Sequence, residues 1–122
     1  MEEIYENLLT YFEDKSNSTT TIIAMTMRDI FLNDLIYDKS VNSWKVYRSK
    51  KWQRIDRDGM KRKISKLPNI LSNLVEKVID VEIENEKKKK FINRIMRINK
   101  ILCTDSYDYE EIEKECIPYF TI

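Results

Sequence analysis

The chain lacks histidine and contains a single glycine, Gly59, and two prolines among its 122 residues. Without histidine it cannot form a Ser-His-Asp or Cys-His catalytic group, an HExxH zinc site or a two-histidine iron site. One glycine is too few for a P-loop or a dinucleotide-binding fingerprint, each of which needs several. Catalysis by carboxylates alone is the chemistry that these absences leave open. We therefore expect a chain that is not itself an enzyme, with no catalytic residues, no cofactor and no small-molecule substrate.

Cysteines and long apolar runs are also scarce. Cys103 and Cys116 stand thirteen residues apart, and there is no Cys-x-x-Cys motif. They are typical of the thiols of an intracellular protein, and they predict no metal site. No apolar run approaches the length of a membrane span, and the acidic start Met1-Glu2-Glu3 is unlike a signal peptide. The sequence therefore predicts an intracellular protein without a membrane partner.

Charged side chains are abundant and unevenly distributed. The net charge is only +1, from 22 basic and 21 acidic side chains. Residues 1–40 carry three basic and eight acidic side chains, and residues 101–122 carry one basic and six acidic. Residues 41–100 carry 18 basic and seven acidic side chains, a local charge of +11. A basic middle of this kind indicates a surface for an anionic partner. The alternative is that the acidic ends fold over the middle and cancel its charge.

The spacing of apolar residues predicts one domain, residues 1–122, that is mainly α-helical with a small antiparallel sheet (α+β). Apolar residues recur at helical spacing over residues 1–34 and again over residues 57–117. Between them, residues 35–56 contain two strictly alternating runs, which favour a β-hairpin. A short apolar run at residues 35–37 would make it a three-stranded sheet.

The hairpin carries two tryptophans, Trp44 and Trp52, which we expect to be core residues, because two exposed indoles would be an aggregation liability. The residues between the strands, Ser49 and Lys50, include no glycine. A two-residue turn with both residues in the left-handed region would be strained, so we expect a longer or bulged connection.

Polar residues and a proline suggest where three of the helices begin or end. Candidate N-caps are Thr19 or Thr20 for the second helix and Asp56 or Asp58 for the helix after the hairpin. Pro118 is expected to stop the last helix.

Ten basic and two acidic side chains lie between Trp44 and Lys66. Nucleic-acid binders use ammonium and guanidinium groups to contact phosphates, often beside aromatic faces that stack on bases. The alternative is that these cations only protect the edge of a strand. The candidate nucleic-acid-binding residues are Lys45, Arg48, Lys50, Lys51, Arg54, Arg57, Lys61 and Arg62.

A second basic stripe is predicted further along the chain. Lys90, Arg94 and Arg97 share one face of a predicted helix. The alternative is an ordinary solvated helix face, partly neutralised by the acidic residues just upstream.

The hairpin region is similar to one in a known family. The similarity is carried by an aliphatic-aromatic start, a W-x-V-Y motif and a second tryptophan, which here are Ile36-Tyr37, Trp44-Lys45-Val46-Tyr47 and Trp52. With the flanking helices, this order resembles the domain that precedes the helicase core in superfamily III primase–helicases of poxvirus-type and other large DNA viruses, satellite phages and plasmids. The resemblance covers about residues 20–120.

The resemblance implies a non-catalytic DNA-replication module. Its partners would be DNA, single- or double-stranded and of any sequence, and the helicase or primase domains or subunits. Its location would be the cytoplasm or the site of viral or phage DNA replication. The family's Walker A and B elements, sensor residues and primase acids have no counterpart here, so this chain would not hydrolyse ATP by itself. The alternative function is a protein–protein interaction domain with no nucleic-acid role, and a small carboxylate-dependent nuclease is a third.

Overall fold

The computed structural model describes residues 2–79, 84–103 and 109–121, and side chains from Glu6 onward. In chain order, its elements are helices α1 (Glu2–Glu13) and α2 (Thr19–Phe31), strands β1 (Leu35–Asp38), β2 (Ser43–Arg48) and β3 (Lys51–Ile55), and helices α3 (Arg57–Ser65), α4 (Leu67–Ile79), α5 (Asn85–Leu102) and α6 (Tyr109–Phe120). The predicted class, mainly α with a small three-stranded antiparallel sheet, is confirmed. None of these described helices is long and apolar enough to cross a membrane.

The apolar faces of the helices form the core. In α2, Ile23 and Met27 lie four residues apart on one buried face, and in α6 Ile112 and Cys116 do the same. The two faces meet, with the Cys116 Sγ and Met27 Sδ atoms 3.8 Å apart. Burial of a side chain of this size stabilises the fold by about 1.5–3 kcal/mol. The sheet packs against this α2–α6 pair.

The helix caps differ from the sequence prediction in one case and agree in the other. Ser18 caps α2, because its extended backbone lets its Oγ accept the N–H of Thr21 at 3.1 Å. Thr19 already belongs to the first helical turn, so the prediction of a threonine cap is wrong. Asp56 caps α3 as predicted, and its Oδ1 accepts the N–H of Gly59 at 2.8 Å.

Pro118 lies inside α6, which continues to Phe120. The prediction that this proline stops the helix is wrong. Proline removes one backbone donor and crowds the carbonyl four residues earlier, so the last turn of α6 needs other contacts. Two contacts hold the turn beyond it: the Thr121 N–H donates to the Ile117 carbonyl at 3.1 Å, and the Phe120 ring packs on Trp44.

The sheet has the order β1-β2-β3, with both pairs antiparallel. On its inner face, Leu35 of β1 and Trp44 and Val46 of β2 are buried. On its outer face, Lys45 lies opposite Arg54, and Tyr47 lies opposite Trp52. The alternation predicted for β2 is therefore confirmed.

The connection between β2 and β3 is a two-residue turn, contrary to prediction. Ser49 and Lys50 have φ angles of 53° and 65°, and the flanking residues Arg48 and Lys51 are directly paired. A turn with two left-handed residues matches the twist of the flanking strands, which is why hairpins prefer it. Its cost is about 1–2 kcal/mol for each non-glycine residue. The ladder beyond the turn, which pairs Val46 with Gln53 and Tyr47 with Trp52, offsets that cost.

The two tryptophans have different environments. Trp44 is 4% exposed, so its predicted core position is confirmed. Trp52 is 42% exposed, and its predicted core position is wrong. The two-residue turn pairs Trp52 with Tyr47, whose side chain lies on the outer face, and Trp52 must follow it there.

Candidate nucleic-acid interface

Six basic residues of the middle segment line a cleft of about 720 Å³ between the β2–β3 hairpin and α3. The chain leaves β3 at Ile55 and enters α3 within two residues, because Asp56 caps the helix immediately. A Cβ atom at position 59 would lie 3.0 Å from the Ile55 Cβ, so glycine allows the first turn of α3 to come this close to the end of β3. We call this cavity the basic cleft. Its cationic lining residues are Arg48, Arg54, Arg57, Arg62, Lys63 and Lys66.

The two carboxylates that line the basic cleft already have partners. Asp56 caps α3, and Glu113 of α6 accepts a hydrogen bond from the Trp44 indole N–H at 3.2 Å. Arg57 is the one lining cation with an ion pair, to Glu110, among the residues that the structure describes. Within that same described part of the chain, the other five cations form no ion pair. Five of the six cations that line the basic cleft therefore have no ion-pair partner among the described residues.

Lys63 lies between an aromatic ring and other cations of the basic cleft. Its side chain is half-buried, with the ammonium 4.9 Å from the centre of the Phe31 ring. Burial lowers the pKa of Lys63, and the positive charges of Lys66 and Arg48 lower it further, against an opposing effect of Asp34. Cations from β2, from α3 and from its C-cap are thus close enough to repel one another. An anion in the basic cleft would remove this repulsion.

Half of the predicted nucleic-acid-binding set lines the basic cleft, namely Arg48, Arg54, Arg57 and Arg62. Lys45, Lys50, Lys51 and Lys61 are not among the lining residues. The Lys45 Nζ donates to the Asp38 Oδ2 at 2.7 Å, and Lys61 lies 5.6 Å from the centre of the Tyr109 ring. Lys50 and Lys51 are exposed at the hairpin turn.

Sequence reasoning missed Lys63 and Lys66 as members of the site. A signal for both was present, because Lys66 lies four residues after Arg62 and three after Lys63. That spacing places side chains on one side of a helical turn.

The outer face of the sheet carries an exposed aromatic pair. Tyr47 and Trp52 are 48% and 42% exposed. Their ring centres are 5.3 Å apart, with the planes inclined at 60°. Arg54 is two residues from Trp52 on the same face, opposite Lys45, and it also lines the basic cleft. Arg54 therefore connects the aromatic pair to the basic cleft.

The second basic stripe, Lys90, Arg94 and Arg97, is exposed on α5 and contributes no residue to the basic cleft. Arg94 and Arg97 line a separate cavity of about 440 Å³, where Glu13 and Asp14 also lie. The Arg94 guanidinium lies 5.7 Å from the centre of the Phe12 ring. This cavity has three lining cations, with Lys15, against two carboxylates, whereas the basic cleft has six cations against two carboxylates, so this cavity is a weaker site for a polyanion.

A carboxylate-dependent nuclease would use the acidic residues near the C-terminus, which are Asp105, Asp108, Glu110, Glu111, Glu113 and Glu115. The first two of these lie outside the described residues. Among the residues that are described, no group of three histidine, cysteine, aspartate or glutamate side chains is placed to hold a metal ion.

Comparison with known proteins found no match, either to a protein-family model or to a curated protein. The resemblance to the helicase-preceding domain thus stays a prediction, and function has to be argued from the basic cleft.

Proposed function

We propose that this chain is a non-catalytic DNA-replication module that binds the phosphodiester backbone of DNA through the basic cleft. The observation that carries the proposal is the convergence on one cavity of five cations that form no ion pair with any described residue. Three of them are arginines, whose planar guanidinium groups bind phosphate oxygens in pairs. Backbone contacts of this kind carry no sequence information, so binding should tolerate any sequence.

The replication setting and the partners come from the resemblance alone. On that basis, the helicase or primase domains or subunits would be the protein partners, and the cytoplasm or the site of viral or phage DNA replication would be the location. The chain would position DNA, while another domain or subunit would supply ATP hydrolysis.

The test is DNA binding measured by fluorescence anisotropy as a function of salt. If four cleft cations reach phosphates, the slope of log affinity against log salt should be about −3 for single strands and about −3.6 for duplex. The variant Arg62→Gln/Lys66→Gln removes two exposed charges of the basic cleft, and glutamine preserves helix propensity. It should flatten these slopes by about 1.4 and 1.8.

The matched control is Lys39→Gln/Lys77→Gln, which removes two exposed charges that do not line the basic cleft. Its slopes should equal those of the wild type. The proposal fails if the wild type ignores DNA at about 50 mM salt, or if both double variants lose the same amount of binding.

A protein–protein interaction domain is the second candidate, favoured by large exposed apolar side chains such as Leu32, Ile79 and Met96. Single exposed apolar residues are common on monomers, so this observation weighs less than the basic cleft. Light scattering distinguishes the two, because this candidate expects no DNA binding and a molar mass that rises with protein concentration.

A further inference from the structure

The outer face of the sheet differs from an ordinary solvent-facing sheet surface. Two large aromatic side chains, Tyr47 and Trp52, stand opposite each other there and contact each other edge to face. Each leaves more than two-fifths of its surface in water. Cross-strand packing accounts for the contact between the rings, but not for the aromatic surface that stays open to solvent.

Charge indicates what kind of partner this surface fits. Arg54 follows Trp52 by two residues on the same face of β3, and it is exposed. It forms no ion pair with a described carboxylate. Aromatic rings beside such a cation match the surfaces that bind unpaired nucleic acid, in which bases stack on the rings and phosphates meet the cations.

We propose that the Tyr47–Trp52 pair stacks on unpaired bases of single-stranded DNA whose phosphates lie in the basic cleft. This proposal rests on the proposed function and deepens it, because it names the strand state. Arg54 lies on the same strand face as Trp52 and also lines the basic cleft, so one strand can contact both. Duplex DNA keeps its base faces stacked inside the helix, so it would use the basic cleft alone.

The ring geometry defines how a base would be held. Planes inclined at 60° with centres 5.3 Å apart leave no parallel slot between the rings. A base therefore stacks on the outside of one ring and is not sandwiched between the two. The indole offers the larger face, so Trp52 is the residue whose loss should matter most.

The experiment compares two single strands that share the same phosphates. One probe is a fluorescein-labelled oligodeoxythymidylate of about 15 nucleotides, within the length that a small single-strand-binding domain covers. The other is an oligonucleotide of the same length made of abasic sites, and a duplex of that length is the third. Affinities are measured by anisotropy for the wild type, Trp52→Ala and Trp52→Phe, with Met96→Ala as a matched variant that removes an exposed apolar side chain elsewhere.

We expect the wild type to prefer the thymidine strand over the abasic strand by about 5- to 150-fold, the range for stacking of one base. Trp52→Ala should remove this preference and leave the abasic strand and the duplex unchanged. Trp52→Phe should retain part of it, and Met96→Ala all of it. Trp52 fluorescence should also be quenched by the thymidine strand and not by the abasic strand.

Three outcomes would overturn the inference. Equal affinity of the wild type for the thymidine and abasic strands would show that no base is stacked. Equal losses for every probe in Trp52→Ala would show that Trp52 acts through the fold. A dimer that Trp52→Ala dissociates would show that a second copy covers the rings. The proposed function fails separately, if the wild type binds none of the three probes in a salt-dependent way.

Discussion

Replacing Trp44 by alanine tests how the sheet is attached to the helices. The indole is 4% exposed, and its ring centre lies 5.1 Å from that of Tyr37 and 5.6 Å from that of Phe120. Its N–H donates to Glu113 of α6. One side chain of β2 therefore contacts a neighbouring strand and two positions on α6.

The expected cost follows from these contacts. Deleting a buried aromatic side chain typically lowers the free energy of unfolding by about 3–5 kcal/mol. Edge-to-face pairs contribute about 0.5–1.5 kcal/mol each within such totals, and here two are lost, together with the hydrogen bond to Glu113. Domains of this size unfold with about 5–15 kcal/mol, so Trp44→Ala should remove a large fraction of the stability. Trp52→Ala, in the same hairpin, should cost only about 0.2–1 kcal/mol for its cross-strand pair.

The assay is urea unfolding followed by far-UV circular dichroism, with both variants measured beside the wild type. Each variant retains one tryptophan, so fluorescence reports the environment of the other indole. Trp52→Ala should show the blue-shifted emission of buried Trp44, and Trp44→Ala the red-shifted emission of exposed Trp52. A cost below about 1 kcal/mol for Trp44→Ala, or equal costs for the two variants, would refute the assignment of their faces.

Two further predictions concern the hairpin and its neighbour β1. Ser49→Gly should raise the free energy of unfolding by about 1 kcal/mol, because glycine adopts a φ of 53° without strain. A lower free energy of unfolding, measured with urea, would contradict the two-residue turn. The pKa of Asp38 should be about 2, below its ordinary 3.8, because Lys45 and Ser40 donate hydrogen bonds to it. Since the pKa is lower in the folded state, the stabilisation is present above pH 3.8 and is lost as the pH falls through about 2. An NMR titration in which Lys45→Gln leaves the pKa of Asp38 unchanged would contradict this account.

The wrong predictions of the turn length and of the environment of Trp52 have one cause. A hairpin's turn length fixes its register, and a shift of one residue exchanges the faces of a whole strand. A longer connection would leave the register of β3 undetermined, so it does not predict that Trp52 pairs with Tyr47. Alternation within β3 indicates the face of Trp52, because Trp52 shares its face with Arg54 two residues later. An arginine is rarely buried without a partner, and this favours the outer face for both.

The helices and the basic segment were predictable because they depend on local spacing. The pairing of Lys45 with Asp38 was not predictable in the same way, because it depends on how β1 aligns with β2. The role of Glu113 was not predictable either. It accepts a hydrogen bond from the Trp44 indole, which lies 69 residues earlier in the chain. Local patterns identify which segment is basic, and long-range packing determines which of its cations have a carboxylate partner.

Under the proposed function, the cations of the basic cleft that form no ion pair with a described residue exchange some stability for binding. Lys45 in the same sheet forms an ion pair with Asp38, so a cation of this sheet can be paired with a carboxylate. In the basic cleft, Glu113 accepts the hydrogen bond of Trp44, and the pKa of Lys63 is lowered by burial first and then by the lining cations Lys66 and Arg48. Like charges held this close destabilise the free protein. Under the proposed function, bound phosphates offset the repulsion among these cations. DNA binding should therefore stabilise the fold.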